Sequence, residues 1–96
     1  MPSEKTKKLN ILRKKLDNLD DSFIKLIKKR TNIIRKVIEL KEYKNQIVDK
    51  KRIKVILKNI KRKSIKNEIE PKITNRIWKN IIWAYIDFEK RNFNKK

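Results

Sequence analysis

The chain of 96 residues contains no cysteine, no histidine and no glycine. Without cysteine there is no disulfide, no thiolate nucleophile and no thiolate-bound metal. Without histidine the commonest general base and the commonest metal ligand are both missing. Without glycine, phosphate-cradling loops and two-residue glycine hairpins are excluded. Acids are scarce as well: 11 Asp and Glu stand against 30 Lys and Arg, for a net charge of +19. No apolar run is long enough to span a bilayer. The opening MPSEKTKK lacks the apolar stretch of a secretion signal. The expected location is therefore the cytoplasm. No cofactor and no metal are expected. Any chemistry must run on Lys, Arg, Asp, Glu and a few hydroxyls.

The charge has two readings. Clustered cations neutralise phosphates, which points to a nucleic acid or an anionic membrane. Alternatively, Lys, Ile and Asn, which dominate the chain, share AT-rich codons, and the charge reflects drift in composition. Lysine is spread along every segment, which favours drift and argues against a nucleic-acid partner.

What is present is helical periodicity. Residues 3–43 carry Leu9, Leu12, Leu16, Leu19, Phe23, Leu26, Ile33, Val37 and Leu40 in steps of three and four, with Arg30 completing the series. That seam predicts one long helix. A second helix over 49–63 begins at Asp49, suited to an N-cap, with Ile53, Ile56, Leu57 and Ile60 on one stripe. A third over 71–93 begins at Pro71, suited to a first helical position. Its expected inner face is Ile73, Ile77, Ile81, Ala84, Tyr85 and Phe88. The expected fold is all-α, with three helices in one domain over 1–96.

About 40 residues at roughly 1.5 Å each make a helix of about 60 Å. A compact chain of this length has a radius of gyration near 13 Å. One end of the helix must project, and its seam stays apolar there. A second copy is the simplest cover, giving an intertwined homodimer.

Arg30 stands on that seam among leucines and isoleucines. A buried guanidinium needs an anion. Asp17, Asp20, Asp21 and Glu39 are near in sequence, and a small dianion is the other option. Lys41 follows Arg30 by about three turns, within roughly 20° around the helix and about 16 Å along it, so both reach toward one small ligand. Arg13 lies about 25 Å from Arg30 and roughly 100° around. If it binds the same ligand, it comes from the other subunit. In the third helix Trp78, Ile82, Tyr85 and Glu89 share a stripe. Glu89 is then either a rim ion pair or a carboxyl group facing a pocket.

These residues resemble the all-helical chorismate mutases, from about Leu9 to Phe93. The stretches that carry the resemblance are LRKKLDNLDDSFIKLIKKR and ELK in the first helix, VDKKR in the second, and IWKNIIWAYIDFE in the third. The resemblance implies an intertwined dimer that rearranges chorismate to prephenate. Arg30, and Arg13 from the neighbouring subunit, would hold the two substrate carboxylates. Lys41 would approach the ether oxygen of the breaking bond, and Glu89 would also reach toward it. Asp49 would lie by the ring hydroxyl, with Arg52 supporting the site. Tyr85 takes a position where some relatives have Ser. The reaction is pericyclic and needs no nucleophile, metal or proton transfer, which suits a chain without His or Cys. Two features depart from the pattern. Ile53 stands where the mutases usually have Glu, and the connector after Lys41 is about one residue short. An apolar residue at that point resembles the sister activity, isochorismate pyruvate-lyase. The rivals from other classes are a nucleic-acid-binding helical dimer and a purely structural bundle.

Overall fold

The structure, a computed structural model, describes residues 3–95. Helix α1 spans Glu4–Leu40, α2 spans Lys50–Lys66 and α3 spans Pro71–Asn92, with a short 3-10 helix at Lys44–Gln46. Among the described residues there is no strand, and no helix is long and apolar enough to cross a membrane. The all-α class and the very long first helix follow the spacing of the apolar residues.

Two compact units meet in the sequence between Ile33 and Ile34. In the first, α1 runs without Pro or Gly, and its apolar ladder is bare. Leu12 is 55% exposed, Leu16 and Leu19 are 59%, and Leu26 is 60%.

In the second unit α1 stops at Leu40, three residues before the expected end near Tyr43. The side chain of Gln46 explains the stop. Its Oε1 accepts the backbone N–H of Glu42 at 2.7 Å and that of Tyr43 at 2.8 Å. Those amides are drawn out of the helical ladder, and Tyr43 turns extended, with φ −126° and ψ 143°.

Helix α2 starts as expected. Asp49 is its N-cap, and Oδ1 accepts the Arg52 N–H at 3.0 Å. The helix ends at Lys66, beyond the expected 63. It closes with paired bonds, Glu68 N–H to the Ile65 carbonyl at 3.1 Å and Ile69 N–H to the Ser64 carbonyl at 2.9 Å. That closure requires a left-handed residue. Lacking glycine, the chain places Glu68 there, at φ 57°. Helix α3 then begins at Pro71 with Glu70 as its N-cap.

Helices α2 and α3 pack together. Ile47, Ile82 and Ile86 form the buried cluster, with Val48, Ile53, Ile56, Leu57 and Phe93 against it. Near the α2–α3 turn the buried Ser64 hydroxyl lies 2.6 Å from that of Thr74. It also donates to the Ile60 carbonyl at 2.6 Å. The face expected for α3 is thus displaced. Ile73, Ile77 and Ala84 are exposed, Ile81, Tyr85 and Phe88 are half-buried, and Ile82, Ile86 and Glu89 are buried. Helix α3 is apolar over more than one stripe, and α2 covers only one of them.

Candidate active site

The end of α1 and the last turns of α3 bring two charged side chains together. Lys41 is the first residue past α1. Its amide is still held by the carbonyls of Val37 and Ile38, both at 3.2 Å. Its Nζ donates to Glu89 Oε1 at 2.8 Å. The pair is well covered: the Glu89 side chain is 8% exposed and that of Lys41 20%. Glu89 therefore makes an ion pair with a lysine, one of the two settings expected for it, but buried and not at a rim. It is a buried carboxylate, and its partner is the very lysine expected to act. An ammonium has three N–H donors. One is committed to Glu89, leaving two for a ligand.

Beside this pair lies an open groove of about 520 Å³, lined by Lys41, Asn45, Gln46, Val48, Asp49, Lys50 and Lys51. Lys41 and Asp49 thus share a cavity wall. Arg52 is exposed in the first turn of α2 and does not line this groove. Tyr85, half-buried one turn before Glu89, stacks edge-on against Phe88 with ring centroids 6.4 Å apart. The Arg35 guanidinium lies over that Phe88 ring, 5.2 Å from its centroid. On α1, Arg30 is half-buried and Arg13 exposed. Among the described residues no group of acids could hold a metal ion.

Residues that the spacing did not single out also shape the site. Gln46 folds the connector, Asn45, Lys50 and Lys51 line the groove, and Lys95 reaches the end of α1. Gln46 was findable in principle, as the one long amide in a connector whose backbone N–H groups, lying past the helix, need an acceptor. Nothing in the sequence distinguishes Lys95 from its many lysine neighbours.

The model of the type II chorismate mutase family matches residues 12–90 of the chain. The chain belongs to that family. No curated protein and no solved structure matches it. The match to the type II chorismate mutases starts just before Arg13 and ends just after Glu89, so it spans all seven candidate site residues, Arg13, Arg30, Lys41, Asp49, Arg52, Tyr85 and Glu89.

Proposed function

We propose that the protein is a chorismate mutase, converting chorismate to prephenate within a homodimer. The observation that carries the reading is the buried Lys41–Glu89 pair beside the groove that Asp49 also lines. In this rearrangement the ether C–O bond breaks as the new C–C bond forms. No atom enters or leaves, and negative charge grows on the ether oxygen at the transition state. A partly desolvated ammonium, pre-aimed by a carboxylate, meets that charge without reorganising. The free donors of Lys41 would serve the ether oxygen. Arg30, and Arg13 from the second subunit, would grip the two carboxylates in bidentate fashion and hold the compact conformer. Asp49 would take the ring hydroxyl, with Arg52 and Tyr85 at the margin. The bare leucines of α1 support the dimer, because an apolar ladder of that length needs a cover.

The test is direct. Purified protein should consume chorismate and form prephenate, and Lys41→Ala should lower kcat by about 100-fold or more, the scale of a lost transition-state donor. A wild-type protein inert at saturating chorismate would sink the reading.

One observation favours a second reading. Ile53 packs against the isoleucine cluster and offers no acceptor where the mutases usually carry Glu. That is compatible with an isochorismate pyruvate-lyase. Parallel assays separate the two: release of pyruvate from isochorismate, with no turnover of chorismate, would move the assignment.

A further inference from the structure

The end of α1 is short of donors. The final carbonyls of any helix lack partners within it, and the last turn of α1 carries no basic residue. The missing donor comes from the other end of the second unit. Lys95 Nζ donates to the carbonyl of Glu39, and also to that of Lys41 at 3.0 Å. The path that brings it there is well defined. Helix α3 stops at Asn92, and Phe93 turns extended, with φ −82° and ψ 115°. Phe93 then packs against the Ile47–Ile82–Ile86 cluster. Lys41 is thus held at two points, its carbonyl by Lys95 and its ammonium by Glu89.

We propose that Lys95 is a positioning residue for Lys41, pinning its carbonyl so that the ammonium leaves the helix end toward Glu89 and the groove. Lys41 lies outside the helix, so the helical ladder supplies no donor for its carbonyl. Without Lys95 that carbonyl loses its donor, and the peptide after Lys41 keeps only the hold of Gln46 on its Glu42 N–H. A cation suits the site, since the end of a helix is electronegative. The Arg35–Phe88 contact shows that the neighbouring turn of α1 is independently anchored. Lys95 therefore acts on the terminal peptides and not on the helix as a whole. The kinetic consequence rests on the mutase reading given above; the anchoring itself does not.

The experiment compares wild type, Lys95→Ala, Lys95→Gln and Lys95→Arg as full chains. With chorismate, Lys95→Ala and Lys95→Gln should lower kcat about tenfold, with KM changed less than about twofold, since misplacement of a reacting group is felt in the chemical step. Lys95→Arg, which can still donate to both carbonyls, should recover most of the rate. Amide hydrogen exchange supplies an arm independent of activity. Exchange over residues 40–43 should quicken about tenfold in Lys95→Ala and return toward wild type in Lys95→Arg. A kcat within twofold of wild type in Lys95→Ala, a loss confined to KM, or equal impairment of the Ala and Arg variants would overturn the proposal. So would unchanged exchange at 40–43. A wild-type protein inert to chorismate would instead remove the mutase reading, and the exchange arm would still decide whether Lys95 anchors Lys41.

Discussion

Lys41 and Glu89 pull on one another before any ligand arrives. Taking two charges out of water is costly, and a buried pair recovers that cost only with good geometry. At 2.8 Å, with the carboxylate nearly covered, the geometry is good. Removing one partner strands the other. Glu89→Ala should therefore destabilise the fold by about 1–3 kcal/mol, discounted for the partial exposure of Lys41, and should lower kcat as the ammonium loses its aim. Glu89→Gln keeps an acceptor within reach, so it should cost less on both counts. Chemical denaturation and steady-state kinetics on the two variants check this. Equal effects of Ala and Gln would show that the carboxamide cannot stand in for the acid. At this scale the sequence was informative about identity and weaker about setting. Lys41, Asp49 and Glu89 were legible from helical spacing and the resemblance. That Glu89 binds Lys41 was not, because an ion pair between residues 48 apart is made by tertiary packing, which no local pattern records.

The helices show the same division. Asp49 and Pro71 punctuate α2 and α3 where local chemistry says they should. The end of α1 escaped because it is set by Gln46, a residue beyond the helix whose side chain competes for amides. The inner face of α3 escaped for another reason. Its apolar residues cover more than one stripe, and periodicity cannot say which of them α2 takes. The end of α2 shows what the lack of glycine costs. Glu68 at φ 57° holds a conformation that costs an ordinary residue about 1–2 kcal/mol. Glu68→Gly should thus stabilise the protein by about 1 kcal/mol, offset in part by the greater freedom glycine gives the unfolded chain. Thermal unfolding would register it. A fall in Tm would mean that the Glu68 side chain contributes more than its backbone loses.

For the molecule as a whole, the weightiest fact is the uncovered ladder of α1. Leu16 and Leu19, each 59% exposed, would lie at the centre of the proposed subunit contact. Lysine at both positions costs a lone helix almost nothing, because lysine is a good helix former. In a dimer it would bury two charges per chain. Leu16→Lys with Leu19→Lys should therefore halve the sedimenting mass, from about twice 11.8 kDa to about 11.8 kDa, and abolish turnover. A wild type that sediments as a single chain would leave Arg13 without the role given it here.

The sharing of a site in the proposed homodimer has a genetic corollary. Arg13→Ala and Lys41→Ala would each silence such a dimer, yet they would damage different halves of a composite centre. Refolded together, the two inactive parents would form hybrids, and each hybrid would reunite one sound arginine with one sound lysine. Random pairing should restore about a quarter of the centres. Activity reborn from a mixture of two dead proteins would be the signature of catalysis shared between chains.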